Sequence, residues 1–240
     1  MDNHLYLKEI SLKPDKDIDI SVFPYNLKII QDISKIKFQN PVTFIIGENG
    51  SGKSTILEAI AISLRLNPEG GNQNMLFSTS STHSDLYQSL RVSKGIHQPK
   101  EKYFLRAESF YNVATEVDNY GVKDSYGGKS LHQQSHGESF LSLFMNKLRG
   151  NGLYILDEPE AALSPKRQMS LITRINDLIK NDSQFIIATH SPIILSYPYA
   201  DIYDISNSQI NKVKYEETEI FQITKMYLDH YQRMLNELLD

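Results

Sequence analysis

Residues 41–55 read Pro-Val-Thr-Phe-Ile-Ile-Gly-Glu-Asn-Gly-Ser-Gly-Lys-Ser-Thr, and they constrain the chain more than any other stretch. An apolar, β-branched run of strand length breaks at Gly47 and turns through a loop holding three glycines. It reopens as Ile56-Leu57-Glu58-Ala59-Ile60-Ala61-Ile62, a helical pattern. Gly47, Gly52, Lys53 and Ser54 stand at the spacing of a phosphate-binding loop, in the required order of strand, loop and helix. Consecutive backbone N–H groups, here of Asn49, Gly50, Ser51 and Gly52, must curl around phosphate oxygens, which calls for glycine's freedom at positive φ. The helix start adds unpaired N–H groups and a positive dipole end. The pattern assigns Lys53 to the β- and γ-phosphates, Ser54 to Mg²⁺ and Thr55 to the surroundings of the α-phosphate. It predicts that the chain binds a nucleotide.

The rest of the composition fits a soluble enzyme core. Of 240 residues, 40% are hydrophobic and 22% charged, which is globular and not disordered. Lys and Arg number 25 against 29 Asp and Glu, a net −4 that gives no support to nucleic acid or anionic membrane as a partner. Cysteine is absent, which excludes disulfides and cysteine-bound zinc. No signal-peptide layout opens the chain, and the longest apolar run, residues 185–195, is broken by Thr189, His190 and Pro192. The expectation is a cytoplasmic protein without a transmembrane segment.

Three β-like runs, residues 5–11, 18–23 and 35–38, predict a small antiparallel sheet ahead of the loop. Asn67-Pro68-Glu69-Gly70-Gly71 is expected to end the helix after the loop. Residues 72–134 are the hardest to read. A polar stretch at 78–84, a helix from Asp85 to about Val92, a strand at 102–107 and a glycine-rich loop at 120–129 are expected. Ser135-His136-Gly137-Glu138-Ser139 then leads into a helix over 140–148. Leu153-Tyr154-Ile155-Leu156 predicts a buried strand, and Ser164-Pro165 a helix N-terminus whose Leu171, Ile172, Ile175, Leu178 and Ile179 share one face. Residues 184–189 predict another buried strand, joined to the preceding one by a right-handed parallel crossover. Over 216–239, Ile220, Ile223, Tyr227, Met234, Leu235 and Leu238 recur at helical spacing, a stripe for either the chain's own core or a partner, with its own core the favoured reading.

Ligands of parallel sheets gather at the carboxyl ends of strands, and three such ends carry chemistry here. The first is the phosphate loop, the second Asp157-Glu158, the third His190. Hydrolysis of a γ-phosphate needs a metal on phosphate oxygens, a group that activates water, and fixed donors for the developing charge. Asp157 is assigned to the metal, Glu158 to the general base, and His190 to the γ-phosphate and the water, with Lys53 as the fixed cation.

In this order, Gly47 to Thr55 as Walker A, Leu153 to Glu158 as Walker B, Ala161-Ala162-Leu163-Ser164 as D-loop and His190 as switch histidine, the chain resembles an ABC-type ATPase. Ser135-His136-Gly137-Glu138 stands where that family keeps its signature motif. The usual two glycines are here His136 and Gly137, and the usual glutamine is Glu138, closer to chromosome-maintenance and DNA-repair heads than to transporter subunits. The resemblance is strongest to small stand-alone bacterial ATPases with this signature and an Ala107-Glu108-Ser109-Phe110 segment.

It implies a mainly parallel core sheet flanked by helices, an N-terminal antiparallel β part and a small helical insert, in one domain over 1–240. Its parts are 1–40 (antiparallel β), 41–66 (phosphate loop strand and helix), 67–150 (insert, lid and signature helix), 151–215 (Walker B to switch histidine) and 216–240 (C-terminal helix). It further implies that Ser135, Gly137 and Glu138 of one subunit close on the ATP of another, so that two subunits sandwich ATP and Mg²⁺. The family's lid glutamine has two candidates, Glu108 as a metal-sensing residue, with Arg106 nearby, and Gln98. Phe23 and Tyr25 are the candidates for an adenine platform. The expected function is a soluble Mg²⁺-dependent ATPase that couples dimer closure to an unidentified protein partner. The alternatives are a transporter's nucleotide-binding subunit and an ATP-dependent switch on DNA.

Overall fold

The computed structural model describes residues 5–14, 19–72, 83–119, 121, 124, 128, 130–206 and 209–240. Its centre is a seven-stranded sheet in which β3 (Val42–Ile46) lies between β8 (Gln184–Ala188) and β9 (Asp201–Asp204). Beyond β8 come β7 (Gly152–Asp157), β6 (Glu101–Arg106) and the short edge strand β4 (Gly71–Asn72). The opposite edge is β10 (Asn211–Lys212). The five inner strands run parallel, and only β4 and β10 pair antiparallel. Every residue of β3, β7 and β8 is buried, as expected of strands covered on both faces.

Alternate residues of these strands feed two cores. Phe44, Leu105, Tyr154, Leu156 and Phe185 join one, with α4 (Phe110–Asn119), α5 (His136–Ser142) and α6 (Pro165–Lys180). Ile45, Phe104, Ile155 and Ile186 join the other, with α2 (Lys53–Ser63) and a second, three-stranded sheet. Strands covered on both faces favour apolar residues throughout, which is why these runs read as almost continuously apolar, with Thr43, Gln184 and the terminal Asp157 as buried polar exceptions.

The second sheet corrects two readings. It is antiparallel, with β1 (Leu7–Leu12) between β2 (Ile36–Lys37) and β5 (Leu90–Lys94). The helix expected over 85–92 is a single turn, α3 (Leu86–Ser89); Leu90 then starts β5, with Val92 opposite Ile10 and Arg91 opposite Ser11. Alternating burial along Leu90, Arg91 and Val92 suits an open edge of β1 better than another helical turn. With both edges of β1 occupied, the run at 18–23 has no strand to pair with. Its described part is a series of exposed turns, with Ile20 at 62%, Val22 at 54% and Phe23 at 56% exposure, and Ile18 lies outside the described residues. A short helix, α1 (Lys28–Gln31), follows and buries Ile29 and Ile30.

Helix α2 ends at Ser63, about a turn before Asn67, because Arg65 adopts φ 64° and Leu66 N–H returns to Ala61 O at 2.9 Å. The amphipathic helix α4, with Phe110, Val113, Ala114 and Val117 buried, lies in the stretch that sequence pattern left unread. The polar stretch at 78–84 and the loop at 120–129 fall largely outside the described residues. Helix α5 continues through one π turn, Leu143–Lys147. After β8, a short helix α7 (Pro192–Leu195) leads to β9, a parallel strand that was not anticipated.

The C-terminal helix α8 (Glu219–Leu239) is also a correction. Ile220 packs on the core, but no residue of α8 is buried, and Ile223, Tyr227, Leu235 and Leu238 are 49%, 36%, 36% and 71% exposed. The apolar stripe predicted by spacing is present, but beyond Ile220 it lies outside the chain's own core. Among the described residues, no helix is long and apolar enough to cross a membrane.

Candidate active site

The phosphate loop joins β3 to α2, and its backbone explains its glycines. Gly52 is the N-cap of α2 at φ 102°, and Gly50 lies at φ 79°, conformations that strain any residue with a Cβ. Lys53 folds back over the loop, donating from Nζ to Gly47 O and Glu48 O at 2.9 Å each. Burial pushes its ammonium pKa down, and Glu158, Asp157 and Glu160 act against that shift. A buried cation facing three carboxylates is held ready for a polyanion.

A cleft of about 350 Å³ opens over this loop, lined by Asn49, Gly50, Gly52, Lys53, Ser54 and Thr55. Phe23 and Leu27 form one wall, Glu108 and Glu158 another. Ser51 lies on the far side of the loop, in a second cleft of about 270 Å³ with Ile205 and Ser206, and its N–H is engaged by Glu48 O at 3.2 Å. Of the two aromatic candidates, Phe23 reaches the loop. Tyr25 is tied away, its hydroxyl 2.7 Å from Ser89 Oγ.

The strand ends beside the loop bring the remaining candidates together. Asp157 closes β7, and its Oδ1 accepts from Ser54 Oγ at 3.1 Å. Burial pushes its carboxyl up from 3.8 to about 6, opposed by the Ser54 hydrogen bond and by Arg106. Glu158 follows at φ 51°, ψ 54°, a left-handed conformation, and its N–H donates to Ala188 O at 3.0 Å. Its Oε1 lies 3.7 Å from His190 Nε2. Since β7 and β8 are neighbours with Asp157 opposite Ala188, both strands deliver their chemistry to one place.

The raised Asp157 pKa has a cost that can be read from stability. Between pH 3.8 and about 6 the folded carboxyl holds a proton that the unfolded one releases, so stability falls as pH rises through that window. At neutral pH the penalty is at most about 3 kcal/mol, at 1.4 kcal/mol per unit. Asp157→Asn is therefore expected to raise the melting temperature of the nucleotide-free protein at pH 7.5. The gain should shrink to nothing as the buffer approaches pH 4, which thermal denaturation over a pH series measures.

Three residues near the cleft were missed or only touched on. Arg106, at the end of β6, donates from Nη1 to Glu58 Oε2 at 2.8 Å, and sits 3.7 Å from Asp157 Oδ2 and 3.7 Å from Glu108 Oε2. Glu58, a buried acid one turn beyond Ser54 on an otherwise apolar helix face, was the signal for this pair. Glu160 is the third; it accepts a hydrogen bond from the His190 backbone. Glu108 itself is 83% exposed at its side chain and borders the cleft. Gln98 lies just ahead of β6, whose far end meets Asp157, so it sits at the opposite end of the sheet from the loop.

The Ser135–Glu138 segment is built differently. Ser135 precedes α5 as its N-cap, and Glu138 Oε2 accepts from Ser135 N at 3.1 Å. Gly137 is buried; a Cβ there would lie 2.7 Å from Ala162 O and 2.4 Å from Arg167 Nη1, so close packing on the turn after β7 demands glycine. Arg167 Nη2 also approaches Glu138 Oε1 at 3.4 Å. Among the described residues, no hydrogen bond, ion pair or shared cleft links Ser135, Gly137 or Glu138 to the phosphate loop.

Comparison with known proteins agrees with this geometry. The profile of the family described as AAA domain matches residues 25–238. The chain is 26% identical over 178 residues to the zinc import ATP-binding protein ZnuC of Buchnera aphidicola subsp. Acyrthosiphon pisum, covering 69% of this chain and 73% of that protein. It is 25% identical over 173 residues to the nucleoside import ATP-binding protein NupA of Lactococcus lactis subsp. cremoris, covering 61% of this chain but only 32% of NupA. The fold is similar to that of a nucleotide-free ATP-binding cassette from an ABC transporter, with a TM-score of 0.52 and 16% identity over 91% of this chain and 94% of that one. The mainly parallel sheet with a phosphate loop between its strand and helix accords with the family match and with the fold of an ABC cassette, and the chain belongs to the AAA domain family as a P-loop ATPase.

Proposed function

We propose that the chain hydrolyses ATP at the cleft over residues 47–55 and does so as an ATP-sandwiched homodimer. The observation that carries the reading is the convergence of Lys53, Ser54, Asp157, Glu158 and His190 at one end of the parallel sheet. In this reading the N–H groups of Asn49, Gly50 and Gly52 and the Lys53 ammonium hold the triphosphate, and Phe23 abuts the base. Glu158 takes the proton of the attacking water, and His190, 3.7 Å from it, orients that water and the γ-phosphate.

Ser54 and Asp157 suit Mg²⁺: a hydroxyl and a carboxylate, hard oxygen donors 3.1 Å apart, with a buried carboxyl that a cation would return to its charged form. Bound there, Mg²⁺ supplies charge to the β- and γ-phosphate oxygens. Glu108, across the cleft and near Arg106, is the residue we assign to sensing it.

The dimer is supported by the place of Ser135, Gly137 and Glu138. They form a helix N-terminus suited to an anion, yet packed on Ala162 and Arg167 away from the chain's own loop. A second copy would present that end to the γ-phosphate. Complementation tests this. Lys53→Ala and Ser135→Arg are each expected to be inactive alone, and mixing them should restore turnover, because a mixed pair holds one intact composite site. Absence of any recovery, with both variants folded, would rule out the sandwich.

Similarity to ZnuC and NupA favours a second reading, a nucleotide-binding subunit docked on a membrane partner. Recovery of an integral membrane protein with the tagged chain would support it. Either reading places the chain in the cytoplasm, where ATP and Mg²⁺ are at hand.

A further inference from the structure

The turn that follows β7 carries a third carboxylate, Glu160, which the hydrolytic reading does not use. One oxygen of Glu160, Oε1, accepts the backbone N–H of His190 at 2.5 Å. The other, Oε2, is buried without a hydrogen-bond partner. The Lys53 ammonium feels its charge together with those of Asp157 and Glu158. Glu158 N–H in turn donates to Ala188 O at 3.0 Å, two residues before His190. The ends of β7 and β8 are therefore stitched twice, once by backbone and once by the Glu160 carboxylate.

We propose that Glu160 is a positioning residue for hydrolysis: it clamps the His190 segment so that the imidazole faces Glu158. The inference rests on the assignment of Glu158 and His190 to the hydrolytic step. Its reason is geometric. His190 lies beyond the last paired residue of β8, and its ring nitrogen Nε2 is buried with no hydrogen-bond partner of its own. Among the described residues no hydrogen bond holds the ring, and its polar contact is the approach to Glu158 Oε1 at 3.7 Å. The main chain must hold it, and among the described residues it is the Glu160 side chain that binds the His190 N–H, while Thr189 Oγ1 accepts the next one, that of Ser191, at 3.0 Å. Loss of the clamp lets the imidazole drift by a fraction of an ångström, enough to slow a step that depends on alignment.

The test compares Glu160→Ala, Glu160→Gln and Glu160→Asp in wild-type and His190→Ala backgrounds, with Glu158→Gln measured alongside. Glu160→Ala is expected to lower kcat about 10- to 100-fold, with ATP affinity within about twofold. Glu160→Gln keeps an acceptor for the His190 N–H and should recover most of the loss. In the His190→Ala background, Glu160→Ala should cost almost nothing further, because residues acting through one another are not additive. An equal loss in both backgrounds, or a loss of ATP affinity in step with kcat, overturns the inference. So does a normal kcat for Glu160→Ala beside an inactive Glu158→Gln. An active Glu158→Gln would instead overturn the assignment of the site. Should the alanine variant fail to fold, Glu160→Asp, with its carboxylate one methylene short, gives the same comparison in a chain that keeps the charge.

Discussion

Glu158→Gln is expected to bind ATP as the parent does and to hydrolyse it about 10²- to 10⁴-fold more slowly, roughly 3 to 5 kcal/mol on the barrier. The exchange is nearly isosteric and leaves the backbone donation of residue 158 to Ala188 O in place. It removes only the basic oxygen that lies 3.7 Å from His190 Nε2 and borders the cleft. Phosphate release measured beside binding of a fluorescent ATP analogue separates the two effects. Because the proposed dimer opens only after hydrolysis, the variant should also accumulate as a dimer with ATP, visible in light scattering. Normal turnover would remove Glu158 from the role of base.

Lys53→Met is the second large effect, and it acts on binding instead. A charge-assisted hydrogen bond contributes about 1.5 to 3 kcal/mol, and Lys53 is assigned two phosphates. Loss of ATP affinity by at least about 100-fold is the expected result. The fold should survive, because the ammonium is buried and its pKa is pushed down by that burial, so the charge is not what stabilises the empty loop. Thermal denaturation with and without ATP reads both predictions together: the parent melts higher with nucleotide, the variant does not, and their nucleotide-free melting temperatures stay close. An undiminished ATP shift in the variant would contradict the assignment.

The sequence made the centre of the molecule legible because there the local signals coincide. Around residues 41–62, strand, glycines, lysine and helix agree with one another, and the structure keeps all of them. The strands ending at Asp157 and Ala188 were equally plain, since both faces are buried and the stretches Leu153 to Leu156 and Phe185 to Ala188 are uniformly apolar. The edges were harder. Strand β9 reads Asp-Ile-Tyr-Asp, and its buried Asp201 looks like a turn residue until Gln39, Asn40 and Lys212 are seen to satisfy it. Strand β5 follows a helical turn without a break residue, and its pairing with β1 is decided some eighty residues away. Helical spacing in α8 showed an apolar stripe correctly but could not say what covers it. At the site, residue type singled out Asp157, Glu158 and His190 as candidates, and the structure brings them to one end of the sheet. The contact of Glu160 with the His190 backbone was not legible, because it forms only where the ends of β7 and β8 lie side by side, and for the Arg106–Glu58 pair the acid on the apolar helix was a signal but its partner on β6 was not.

The left-handed backbone of Glu158 has a consequence for how this chain tolerates change. A non-glycine residue at φ 51°, ψ 54° holds roughly 1 to 2 kcal/mol of conformational strain, and β-branched residues hold more. Glycine would relieve it and abolish the proposed base at once. A choice of residue for thermal robustness alone would therefore favour glycine here, at the expense of the proposed base.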